Sequence, residues 1–274
     1  MTLWHRFILI GALTILALAP VSRGAKEDSL DAKVSAFLEG MRFQWRDMNV
    51  SRVDGELLYD IIVRNRYTRA LEIGTSTGHS GVWIAWALSK TGGQLVTIEI
   101  DKSRHDKAAA NFERAGLSDI IDARLADAHE LVKQLNGPFD FIFIDAEKDG
   151  YTSYAQALIP KLETGGCIAA HNVDRPRPGS RGRYGRGMGT AAYYDFMTGL
   201  PDFETSVLEE SRSGLAVSYK KKQLSAAKTG TDAGRHRSHP LVRRPGPRTA
   251  PSQTKLRHPE PEVKGRRSPD RSML

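Results

Sequence analysis

One cysteine, Cys167, is all the thiol that 274 residues carry. A single thiol forms no internal disulfide and no cysteine-based zinc cluster, and in an apolar run it reads as a small buried hydrophobe. Long apolar stretches are missing too. The uncharged run from Phe7 to Ala19 is 13 residues, short of the ~20 that span a bilayer. Charge of one sign is scarce where it matters. The net charge of +8 comes from residues 221–274, with 14 Lys/Arg against 4 Asp/Glu, whereas residues 1–220 carry 26 against 28. The basic composition therefore gives no ground for a specific nucleic-acid partner. No internal repeat is present.

What is there divides the chain into three. Residues 1–25 combine Arg6, the run from Phe7, Pro20 and the small residues Ser22, Gly24 and Ala25. This is the layout of a secretory signal peptide, although its cleavage site is poor. Export is the expectation, with an uncleaved membrane anchor through residues 7–19 as the alternative; a cytoplasmic location stays open. Residues 26–220 form the expected folded domain. The tail, 221–274, holds seven of the thirteen prolines and too little apolar surface to offset its conformational entropy, so it reads as disordered.

Between these ends, apolar strand-like runs alternate with helical stretches. "ALEIG", "LVTIEI", "IIDARLAD", "FDFIFIDAEK" and "CIAAHN" are the strands; the helices between them include "VDGELLYDIIVRNR", "SGVWIAWALSK" and "YTSYAQALIPKLETGG". "FETSVL" and "LAVSYK" read as a closing antiparallel hairpin. Continuous apolar strands alternating with helices predict an α/β, doubly wound, mostly parallel sheet with helices on both faces. Functional residues then belong at the carboxyl ends of the strands.

Those ends carry Glu72, Glu99, Asp127, Asp145 and His171-Asn172. The first turn, "LEIGTSTGHS", has the spacing E-x-G-x-x-x-G. It is neither the dinucleotide fingerprint G-x-G-x-x-G nor a phosphate loop, which needs a lysine. Gly74 and Gly78 let backbone pass close to a ligand, and a carboxylate ahead of them suits a cationic amino-acid group. Glu99, at the next strand end, is placed to accept both hydroxyls of a ribose. A nucleoside ligand without diphosphate is implied, and S-adenosylmethionine is the candidate.

"LEIGTSTGHS", "TIEID", "LADAHE", "FDFIFIDAEKDGYTSY" and "LIPKLETGGCIAAHNV" resemble the class I methyltransferase family that contains catechol and caffeoyl-CoA O-methyltransferases. The resemblance runs from about Met48 to Lys220 and implies seven strands in the order 3-2-1-4-5-7-6. It implies that Glu72, Gly74, Thr75 and Ser80 line the methionine end of S-adenosylmethionine, Glu99 the ribose, and Asp127 and Ala128 the adenine. Val50 falls where the family closes over the cofactor, and Asp145 also borders it. Asp145 would further bind a divalent metal, with Lys148 beside the acceptor hydroxyl.

One position departs from the family. His171 stands where its Mg²⁺-using members carry an Asp ahead of the residue matching Asn172. Imidazole suits Mn²⁺, Fe²⁺ or Zn²⁺ better than Mg²⁺. Three readings stay open: a metal set of Asp145, His171 and Asn172; His171 as a general base in a metal-free site; or a structural histidine with Asp174 or Glu147 completing the shell. The loop 174–187 adds Arg175, Arg177, Arg181, Arg183 and Arg186, which hint at an acidic acceptor, and Tyr184, which could stack on an aromatic one.

The expectation is an S-adenosylmethionine-dependent O-methyltransferase with Asp145, Lys148 and His171 as catalytic residues, acting on a small aromatic hydroxylated substrate with help from a divalent metal. The alternatives are a metal-independent methyltransferase using His171 and Lys148 as bases, and a non-catalytic membrane-tethered nucleoside-binding module. A homodimer stays open.

Overall fold

A computed structural model describes residues 23–45, 47–173 and 189–222. Most of the signal-like start, the arginine-rich loop with Tyr184 and Asp174, and nearly all of the tail lie outside the described residues. The chain runs α1 (Arg23–Gly40), α2 (Arg52–Asn65), β1 (Arg69–Ile73), α3 (His79–Thr91), β2 (Gln94–Glu99), α4 (Lys102–Ala115), β3 (Ile121–Leu125) and α5 (Ala128–Gln134). It continues through β4 (Phe139–Ile144), α6 (Tyr151–Leu158), β5 (Leu162–His171), α7 (Gly189–Thr198), β6 (Phe203–Leu208) and β7 (Leu215–Lys220). The strands form one sheet in the order β3-β2-β1-β4-β5-β7-β6. Neighbours are parallel except at β7, which runs antiparallel to both β5 and β6. This is the expected doubly wound architecture.

Both faces of the sheet are covered, and β4 shows why its sequence is apolar at every position but Asp140. Phe141 and Phe143 enter the core under α1–α4, while Phe139, Ile142 and Ile144 enter the core under α5–α7. A strand buried on both sides has no solvent face to supply polar alternation. The strand order reverses between β1 and its neighbour β4, the central strand. Ligands in open α/β sheets bind at such a switch point.

Two elements differ from expectation. Helix α1 was not among the expected helices, although Leu30, Val34, Phe37, Leu38 and Met41 recur at helical spacing. These residues follow directly on the signal-like start, which obscures their periodicity. Second, the glycines of "LETGG" do not end a helix. Pro160 stops α6 early, because its ring cannot continue the i to i−4 ladder, and β5 begins at Leu162. Gly165, at φ +85°, and a register shift opposite Phe139/Phe141 mark a bulge within the strand. Among the described residues, no helix is long and apolar enough to cross a membrane.

Candidate active site

The ends of β4 and β5 bring together four of the polar side chains around which the site is built. Asp145 follows β4, Lys148 and Tyr151 open the next helical turn, and His171 ends β5. Lys148 Nζ donates to Asp145 Oδ1 at 2.8 Å and to the Tyr151 hydroxyl at 2.7 Å. The Tyr151 hydroxyl donates to the His171 carbonyl at 3.1 Å, which ties the two strand ends to one another. Burial, and then the neighbouring Asp145, push the Tyr151 phenol well above its ordinary pKa, so it stays a donor.

His171 reaches a fifth residue that the sequence did not single out. Its Nδ1 lies 3.1 Å from Asp145 Oδ2 and its Nε2 lies 3.2 Å from Asp54 Oδ2, near the N-terminus of α2. Side-chain exposure is 6% for His171, 0% for Asp54 and 13% for Asp145. Burial opposes a charged imidazole, but the hydrogen bonds to Asp145 and Asp54 outweigh it and raise His171 to about 9. The same contacts hold both carboxyls below their ordinary range despite burial. Asp54 was hidden in a capping pattern. Ser51 is the N-cap of α2, its hydroxyl accepts from Asp54 N at 3.1 Å, and it donates to Asp54 Oδ2 at 2.8 Å. An S-x-x-D spacing ordinarily means nothing more than a helix start.

The β1 turn sits beside this cluster. Gly74 and Ser76 both take positive φ, +93° and +49°. A Cβ on Gly74 would overlap the Asp145 carbonyl, and one on Gly78 would meet the Phe112 ring. The glycines thus admit the protein's own neighbours, a reason different from the ligand clearance expected of them. Glu72 is fully buried, and its Oε2 accepts from Thr97 Oγ1 at 2.6 Å. Burial pushes its pKa up to about 7, against the hydrogen bonds from Ser80 and Thr97 that lower it. Its Oε1 is buried without a hydrogen-bond partner. Thr75 bonds Thr97 across the strands at 2.5 Å.

Glu99, at the end of β2, accepts from Ser76 N at 2.7 Å through one oxygen and from the Ile100 and Asp101 amides through the other. Val50 is buried, and its carbonyl bonds His79 Nδ1 at 3.0 Å. Asp127 caps α5 by accepting from His129 N, and Ala128 is buried behind it.

The expected metal set does not form as a donor set. Both ring nitrogens of His171 and both oxygens of Asp145 are already engaged within the chain. Asn172 is half-buried with φ +59°. Glu147 turns away, its Oε1 accepting from the Tyr154 hydroxyl at 2.6 Å and pairing with His129 Nε2 at 2.7 Å. Among the described residues, no group of three or more His, Cys, Asp or Glu is arranged to hold a metal ion. As arranged, the described residues do not fit a divalent cation.

The sheet order, the acidic glycine turn after β1 and the carboxylate ending β2 define the class I S-adenosylmethionine-dependent methyltransferases. Residues 30–174 match the family model described as O-methyltransferase, and the chain belongs to that family, the branch of the catechol and caffeoyl-CoA enzymes. Over 157 residues it is 36% identical to catechol O-methyltransferase of Niastella koreensis, covering 56% of this chain and 69% of that one. Over 134 residues it is 32% identical to caffeoyl-CoA O-methyltransferase 1 of Eucalyptus globulus, 47% of this chain and 54% of that one. The chain therefore spans about two thirds of the bacterial relative and about half of the plant one. Among solved structures, the O-methyltransferase from Bacillus cereus in complex with SAH superposes with TM-score 0.56 at 26% identity, over 71% of this chain and 91% of that one. TomG of Streptomyces achromogenes, solved with SAM, gives 0.57 at 25% identity, over 69% and 90%.

Proposed function

We propose that this chain transfers the methyl group of S-adenosylmethionine to one hydroxyl of a small aromatic diol. The observation that carries the reading is Lys148. Its ammonium is anchored by Asp145 and Tyr151 at the carboxyl end of β4, beside the β1 turn. The two relatives, named as catechol and caffeoyl-CoA O-methyltransferases, support the same acceptor class.

The cofactor fits the donors around the turn. The orphaned, buried Glu72 Oε1 offers an acceptor for a ligand ammonium, and the carboxylate of Glu99 retains lone pairs for ribose hydroxyls. Once bound, S-adenosylmethionine supplies an electrophilic methyl group on a sulfonium. The chain's work is to ready the oxygen that receives it. A phenolic hydroxyl titrates near pH ~10, and a cation beside it favours the phenolate. Two of the three Lys148 donors are used internally, so the third is available to the acceptor oxygen. Asp145 and Tyr151 hold that ammonium in place, and the phenolic proton passes to solvent as the methyl group arrives.

The test uses the full chain. Calorimetry with SAH reads the cofactor site, and transfer of labelled methyl groups to catechol and to caffeic acid reads the reaction. Tight SAH binding with no transfer to either diol would refute the acceptor class and favour a binding module.

A further inference from the structure

We infer that the imidazole of His171, held between Asp54 and Asp145, keeps divalent cations out of this carboxylate pair, so that the methyl transfer proposed above proceeds without a metal. The metal-binding half of the inference stands on geometry alone; its consequence for catalysis rests on the function proposed above.

A fully buried carboxylate near the start of α2 and a largely buried one just after β4 converge here. Such a pair ordinarily suits a hard dication, which takes oxygen ligands. In this chain the space between them is taken by a ring. Nδ1 faces Asp145 Oδ2 at 3.1 Å and Nε2 faces Asp54 Oδ2 at 3.2 Å. Ionised carboxylate oxygens only accept hydrogen bonds, so both ring nitrogens act as donors and neither turns a lone pair toward a metal. The remaining Asp145 oxygen accepts from Lys148 at 2.8 Å, and the Ser51 hydroxyl fixes the Asp54 oxygen that faces the ring.

A dication entering this site has to break both imidazole contacts and then lie beside the Lys148 ammonium. Removing one member of a buried pair leaves its partner uncompensated, at several times the cost of losing an exposed pair. His171 sits at the end of a strand whose last six residues are buried, with its ring against Phe143. Nothing in that packing lets it swing out cheaply. Activation of the acceptor oxygen then falls to Lys148.

Loss of the free Mn²⁺ electron paramagnetic resonance signal on titration with the full chain reads metal binding without any turnover. Calorimetry with Zn²⁺ covers the softer ion, and SAH binding in the same sample certifies the folded cofactor site. Wild type is expected to leave the Mn²⁺ signal undiminished, to give no Zn²⁺ heat, and to keep its rate in EDTA. His171→Asp, which gathers three carboxylates, is expected to deplete the signal by one ion per chain. Stoichiometric metal binding by wild type, abolished by Asp145→Asn, would overturn the inference even if His171→Asp failed to fold. Absence of methyl transfer with SAH bound and the Mn²⁺ signal intact would instead count against the proposed function, leaving the metal result standing.

Discussion

Asp54 and His171, 117 residues apart in the chain, meet with Oδ2 3.2 Å from Nε2 in the interior. That contact joins the start of α2 to the end of β5 and orients the ring that Asp145 holds from the other side. The site is thus a chain of charges, Asp54–His171–Asp145–Lys148, in which each ionised group has an opposite neighbour.

Breaking the chain at its buried end is expected to cost stability. Asp54→Ala leaves an imidazole with one partner and is expected to destabilise the fold by about 3–5 kcal/mol in urea denaturation. Asp54→Asn keeps an acceptor and should lose less. A loss for Asp54→Ala below ~1 kcal/mol, the range of exposed pairs, would show that the contact contributes nothing structural.

At the other end of the chain, the expected effect is on rate. Lys148→Met removes the proposed donor to the acceptor oxygen and should lower kcat by ~10²–10³, the usual effect of deleting one donor to a developing oxyanion. SAH affinity should not change, because no Lys148 contact reaches the β1 turn residues Glu72 or Ser76. Equal losses in kcat and SAH affinity would assign Lys148 to the fold of the site.

The strand ends show how far sequence reaches. Alternation of apolar runs and helices, with a carboxylate at nearly every strand terminus, was enough to place Glu72, Glu99, Asp145 and His171 at one edge of a sheet. It could not tell what those carboxylates bond. Asp54 sits three residues after the Ser51 N-cap, where a carboxylate is ordinary, and its role beside His171 depends on a contact across 117 positions. For the expected metal set of Asp145, His171 and Asn172, the sequence likewise carries no sign that the His171 ring faces Asp54 as well as Asp145. Spacing brings potential ligands near one another but does not reveal that a ring nitrogen is already spoken for. Gly74 was expected to clear a ligand, and the group that its missing Cβ clears in the structure is the Asp145 carbonyl.

That close approach separates two effects at positive φ. Gly92 and Gly74 sit at +76° and +93°, but a Cβ on Gly92 meets open space. Gly92→Ala should therefore lose only the ~1–2 kcal/mol of a left-handed alanine. Gly74→Ala adds overlap with the Asp145 backbone just after β4 and should lose more than twice as much, with SAH binding abolished. Similar melting temperatures for the two variants would remove the close-packing argument.

His79 sets a pH dependence whose sign follows from its bonds. The Val50 carbonyl can only accept, so Nδ1 carries the proton, and Nε2 accepts from Trp83 Nε1 at 3.2 Å. The ring is therefore neutral, and stacked on Trp45 at 4.4 Å. Burial depresses its pKa from 6.5 to about 4, against the raising effect of the Val50 bond. Between those values the unfolded chain binds the proton that the folded chain refuses, so stability is full above pH 6.5 and lost as pH falls toward 4. The loss should amount to about 3 kcal/mol. Carboxylates titrate in the lower part of this window, so the measurement is a difference: wild type minus His79→Gln, by urea denaturation across the window. The difference should shrink steadily as pH falls, and a flat difference would mean that His79 does not titrate between its folded and unfolded states.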